Sequence, residues 1–228
     1  MNAGDIGFVA LLGGLLGLDT VSFPQAMVAR PLVASTVAGA FFGAPVNGLL
    51  VGVVLELIAL ETLPVGASRY PEWGAASVAA GAVASEHPID ATGALAIVAL
   101  GGLAAAQLGG MSMTSLRKLN AYWARRWRAS VDRGSSSAVV GLQLAGLGAD
   151  YLRGALLAAA AAAVLAPLTS EVLVRWTVDP LVSRSLVTAV AAGSAVGAAW
   201  KILHGARGAR WYFLGGLAFG GLLLVLTR

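Results

Sequence analysis

The stretch "LVASTVAGAFFGAPVNGLLVGVVLELIAL", residues 32–60, carries one charge, Glu56, in an otherwise uncharged run. A membrane span needs about 20 apolar residues, so the run is long enough to cross a bilayer. It is interrupted, however, by "GAPVNG" at residues 43–48, where Pro45 and Asn47 are turn formers. The stretch therefore predicts two short helices folded into a hairpin. Irregular backbone at membrane depth is tolerated only where it is buried in protein or lines a cavity, and broken helices of this kind mark the substrate region of transporters.

The rest of the chain fits a membrane setting. Of its 228 residues, 58% are hydrophobic and 11% charged, and the mean hydropathy is +0.81. Soluble domains average about 25% charged residues. There is no cysteine, which excludes disulfides and thiolate chemistry. The net charge of +4 is uneven: six of the fifteen basic residues lie in 117–133, beside long apolar runs. That placement follows the positive-inside rule for cytoplasmic loops and argues against a nucleic-acid partner. The N-terminal run has no basic n-region, and Asp5 stands near its start, so it reads as part of the mature protein rather than a signal peptide.

Working outward, residues 6–18 form a short apolar run followed by the polar, Pro-containing patch "DTVSFPQAMVARP" (19–31). Residues 74–85 form another short run, and 91–116 can span. Residues 116–133 place Leu119, Tyr122, Trp123 and Trp127 among basic side chains, which predicts an amphipathic helix on the cytoplasmic membrane surface. A mild run at 138–149 precedes spans at 154–170, 185–200 and 211–227, the last two joined by the basic turn "HGARGAR" (204–210). The fold class expected is an all-α integral membrane protein, a polytopic bundle with broken, re-entrant helical hairpins. It forms one transmembrane transporter domain over 1–228, with 116–134 as a cytoplasmic amphipathic loop.

Enzyme signatures such as HExxH, Walker A and G-x-S-x-G are missing. His87 and His204 are far apart and near loops, where a histidine is ordinarily solvated. No catalytic, metal or cofactor site is expected. The acids say more, because a carboxylate at mid-membrane costs roughly 2.5–3.5 kcal/mol and so faces a cavity or a partner. Glu56 is the deepest acid by sequence. Two roles stay open for it: ligand contact, or a hydrogen bond to the N-terminus of a neighbouring broken helix. Glu56 and Glu61 lie about 140° apart on a helix, so they do not form a paired acid/base site. Gln25 sits where a re-entrant tip is expected, either as an amide for sugar hydroxyls or at a loop surface. Arg30 precedes Pro31, which starts a helix, and reads as a snorkelling or ion-paired anchor. In "SRYPEW" (68–73), Tyr70 and Trp73 read first as interface anchors. The alternative is a sugar platform with Glu72 on the hydroxyls.

Residues 29–85 resemble subunit IIC of the mannose/fructose/sorbose class of the bacterial phosphotransferase system. The resemblance rests on an ordered set: Arg30-Pro31-Leu32-Val33, the Gly-rich hairpin 43–52, Leu55-Glu56-Leu57, Gly66-Ala67 and Pro71-Glu72, with "DRG" at 132–134 resembling the family's cytoplasmic loop. The chain departs from the family where Gly43-Ala44 replaces a frequent Gly-Asp, where Glu72 replaces an Asp, and in having no polar tail after its last span. The resemblance implies a sugar-translocating subunit of the inner membrane that pairs with a IID subunit. It further implies a trimer of such pairs and an elevator-like movement that passes sugar to a phosphorylating IIB subunit. It makes Gln25, Glu56 and Glu72 candidate sugar contacts and puts phosphoryl transfer on other subunits. The competing class is a structural or regulatory membrane protein of the same fold that does not transport.

Overall fold

The computed structural model describes residues 1–62, 69–88 and 92–226. Gly66-Ala67 of the motif set and Ser68 of "SRYPEW" lie outside the described residues. The described chain is helical, in the order α1 (Ala3–Leu18), α2 (Pro31–Phe41), α3 (Pro45–Ala59), α4 (Trp73–Ala84), α5 (Thr92–Asp132), α6 (Ser136–Val174), α7 (Pro180–Leu203) and α8 (Ala209–Leu226).

The hairpin forms where the sequence places it. Pro31 and Pro45 each occupy the first turn of a helix, where the missing N–H costs nothing. Gly43 turns the chain between them at φ +78°, a value that favours glycine. At 11 and 15 residues, α2 and α3 are about 16 and 22 Å long, too short to cross a 30 Å core. Among the described residues, α5, α6 and α7 are long and apolar enough to cross a membrane.

The core is built on α4. All twelve of its residues are buried, and it packs against α1, α2, α3, α5 and α6. Its sequence, WGAASVAAGAVA, explains how: with almost no side-chain bulk, five helices approach one. Ser35 of α2 is wedged between Gly48 of α3 and Gly81 of α4, and a Cβ on either glycine would overlap its carbonyl oxygen. The Ser35 hydroxyl donates to the Gly48 carbonyl at 2.8 Å, so the contact carries no unpaired hydroxyl. A smaller cluster of Val54, Ala99 and Ala191 attaches α7 to α3 and α5. At the edge, α8 meets α7 through Phe213 and Trp200, with ring centroids 5.3 Å apart.

Two segments differ from the sequence reading. Residues 116–132 are the continuous C-terminal part of α5, not a separate element. Residues 138–149 and 154–170 belong to one 39-residue helix, α6. The charges between those runs, Asp150 and Arg153, neutralise each other at i,i+3 with 2.9 Å between them, 1% and 9% exposed, so the helix continues through them. Two helices, α6 and α7, then separate the basic stretch from the basic turn, and both lie at one end of the bundle. Consistent with this, Lys201 near the end of α7 is 3.8 Å from Glu61 at the end of α3. At the opposite end Asn47 of α3 donates to the carbonyls of Ala84 (3.2 Å) and His87 (2.7 Å).

Candidate functional site

A cavity of about 730 Å³ opens at the basic end. Four pieces of chain make its wall: the 19–30 loop with the start of α2, Thr62 after α3, residues 70–73 leading into α4, and Met113, Leu116, Arg117 and Asn120 of α5. Helices α2, α3 and α4 thus meet the cavity at an end, where unpaired backbone groups and loop polar groups collect, while α5 passes it mid-helix.

Asp19 organises the loop. It is 3% exposed, and its carboxylate accepts the amides of Ala26 (2.6 Å) and Ala29 (3.0 Å). On either side of Ala26, Gln25 and Met27 adopt φ +61° and +63°. A non-glycine residue there costs of order 1–3 kcal/mol and persists only where surrounding structure enforces it, a condition that clusters at ligand clamps. Both residues line the cavity. The Gln25 amide nitrogen donates to the Val21 carbonyl at 2.9 Å, which fixes the side chain.

The aromatic side of the wall is held from α5. Arg117 stands 5.5 Å from the centroid of the Tyr70 ring and donates to the Tyr70 hydroxyl at 3.4 Å, a cation–π pair. Tyr70 and Trp73 are 6% and 7% exposed. Three of the lining residues carry a polar atom, Thr20 Oγ1, Thr62 Oγ1 and Trp73 Nε1, that is buried without a hydrogen-bond partner among the described residues. Buried polar groups are rarely left so unless water or a ligand completes them.

The sequence-predicted residues occupy different places. Gln25 is in the wall. Glu56 is not among the lining residues. It accepts from Arg30 Nε at 2.7 Å and pairs with the Arg30 guanidinium, while its other oxygen takes the first-turn amide of Leu32 at 3.2 Å. It thereby ties the end of α3 to the start of α2, and reaches the cavity only through Arg30, which does line it. Glu72 is 1% exposed and caps α4, both carboxylate oxygens within 3.3 Å of the Ala75 amide. Its own amide donates to the Ala106 carbonyl of α5 at 2.8 Å. Its neighbours Tyr70, Pro71 and Trp73 face the cavity instead. The three candidates are therefore not brought together around one ligand position.

Sequence reasoning passed over Asp19, Thr20, Thr62, Asp150 and Arg153. Asp150 and Arg153 did carry a signal: opposite charges three apart inside an apolar helical run.

A family model described as the PTS system sorbose-specific IIC component matches residues 4–218. The chain belongs to that family, a class of multi-pass membrane sugar-transport subunits that work with other subunits of the phosphotransferase system. Among solved structures, one described as a membrane protein superposes with a TM-score of 0.73 at 21% identity, covering 100% of this chain and 94% of the other. A cryo-EM structure of the mannose transporter ManYZ in complex with microcin E492 superposes with a TM-score of 0.60 at 21% identity, covering 100% and 95%. At that identity both establish a shared fold. No curated protein matches the sequence.

Proposed function

We propose that the chain is the sugar-translocating IIC subunit of a mannose/sorbose-class permease, and that the cavity at the basic end is its sugar site. The observation that carries this is the wall itself. Thr20, Thr62 and Trp73, each with a buried polar atom unpaired among the described residues, share one wall with Gln25 and Tyr70. Its volume falls within the roughly 300–1,000 Å³ of ordinary small-molecule sites. A hexose presents hydroxyls for the first set and an apolar C–H face for the rings. Gln25 is the sugar contact, whereas Glu56 acts through Arg30, and Glu72 by fixing the segment that carries Tyr70 and Trp73.

By its concentration of arginines, the basic end faces the cytoplasm of a bacterial inner membrane. Sugar leaving there meets a IIB subunit, which phosphorylates it; this chain brings no phosphoryl-transfer group of its own. Residues 1–228 act as one transporter domain, paired with a IID subunit in a trimer of pairs. The ManYZ likeness and the many exposed apolar side chains of α7 and α8 support a membrane partner.

The test is equilibrium binding of a panel of hexoses and hexosamines to the chain purified with its IID partner. Saturable binding is expected, weakened about tenfold or more by Gln25→Ala through loss of a fixed hydrogen bond and its strained loop. A folded, assembled complex that binds none of the panel overturns the reading.

A further inference from the structure

One feature of the cavity wall lies outside the cavity. The 19–30 loop is anchored internally by Asp19 and at its end by the Arg30–Glu56 pair; midway, the hydroxyl of the lining residue Ser22 donates to Asp150 Oδ2 on α6, 128 residues away. Asp150 is 1% exposed and is not a lining residue. Its other oxygen, Oδ1, accepts from Arg153 Nε at 3.0 Å. Arg153 in turn reaches the Ser112 hydroxyl of α5 at 3.3 Å. Both carboxylate oxygens are thus committed, one to the loop and one to the arginine that orients it. A charged acceptor held in this way makes a stronger hydrogen bond than a neutral pair. Neither Asp150 nor Arg153 is among the residues that line the cavity.

We propose that Asp150, oriented by Arg153, is a latch: it holds the loop at Ser22 in the closed-down position that presents Gln25 and Met27 to the cavity, and so sets affinity for a polar ligand without touching it. The ligand half of this statement rests on reading the cavity as the sugar site. The loop half does not.

The experiment uses the full chain with its membrane partner and two readouts. One is hydrogen exchange of the backbone amides in 20–29, compared with those of α4. The other is binding of the same panel of hexoses and hexosamines, sorbose and mannose among them. The variants are Ser22→Ala, Asp150→Asn, the double variant, and Ser22→Thr, which keeps the hydroxyl. Loop exchange should speed up roughly three- to tenfold in either single variant, the scale of one hydrogen bond, while α4 exchange is unchanged. The double variant should be no faster than the singles, and Ser22→Thr should behave as wild type. Sugar affinity should fall by a similar factor in Asp150→Asn, although Asp150 lies outside the cavity.

Wild-type loop exchange in folded Ser22→Ala or Asp150→Asn overturns the latch, and so does a double variant whose effects add. Should Asp150→Asn fail to assemble, Ser22→Ala and its threonine control decide alone. Should the wild type bind none of the panel, the reading of the cavity falls, and loop exchange still decides whether the latch exists.

Discussion

The helices α4 and α7 are made of similar material and meet opposite fates. Both are rich in glycine and alanine: WGAASVAAGAVA in one, AAGSAVGAA within the other. Every residue of α4 is buried, whereas Ser183, Ala191 and Ala198 are the buried residues of α7. A Cβ at Gly81 would overlap Ser35, but at Gly193 or Gly197 it would meet nothing within 4 Å. Small residues therefore do not create close packing. They permit it where the topology brings neighbours in: α4 has five helices around it, while α7 packs against α3 and α5 and meets α8 only at its edge.

The sharpest way to break the contrast is Gly81→Leu against Gly197→Leu. The first forces Ser35 and the α2–α3 hairpin off α4 and should cost ~3 kcal/mol or more. It is expected to remove the monodisperse peak on size exclusion in detergent. The second, tested on the isolated chain, should leave thermal unfolding within about 0.5 kcal/mol of wild type.

Next in size is the pair beneath the cavity. Glu56→Gln leaves the Arg30 guanidinium, 24% exposed, facing a neutral amide, and should destabilise by about 1.5–3 kcal/mol. The matching change on the outer side, Glu61→Gln, touches an ion pair more than half exposed at both partners and should cost less than ~1 kcal/mol. Equal shifts in melting temperature for the two variants would contradict this placement of Glu56.

Gln25→Gly separates stability from binding. Glycine adopts φ +61° without the penalty a side chain carries, so unfolding should move up by roughly 1 kcal/mol. Sugar binding, measured in parallel, should weaken because the amide is gone. The smallest effect belongs to Asp132→Asn, whose partner Arg128 is 80% exposed. It should change stability by less than about 0.5 kcal/mol.

How much of this was legible in the sequence depended on whether the signal was local. The hairpin was, because Gly43 and Pro45 are punctuation that acts through the backbone alone. The lengths of α5 and α6 were not. The charges at 117–133 read as a water interface and those at Asp150 and Arg153 were passed over, yet the latter pair is neutralised inside the bundle. The cavity was legible in part. Gln25 and the aromatic residues stood out in polar patches, but Asp19, Thr20 and Thr62 become significant only once loop folding and tertiary contact place them on one wall. The two roles left open for Glu56 could not be separated without knowing where Arg30 and the Leu32 amide lie.

The helix α5 runs through 41 residues without a proline or a non-helical break. Met113 to Asn120 wall the cavity, and the rod continues twelve residues beyond Asn120 to Asp132, about 18 Å at 1.5 Å per residue. The same unbroken helix thus joins the cavity wall to the arginine-rich end. A tilt of about 10° at the cavity sweeps the far tip through roughly 3 Å. Any change of tilt where α5 walls the cavity would therefore be displaced further along the same helix, at its arginine-rich end.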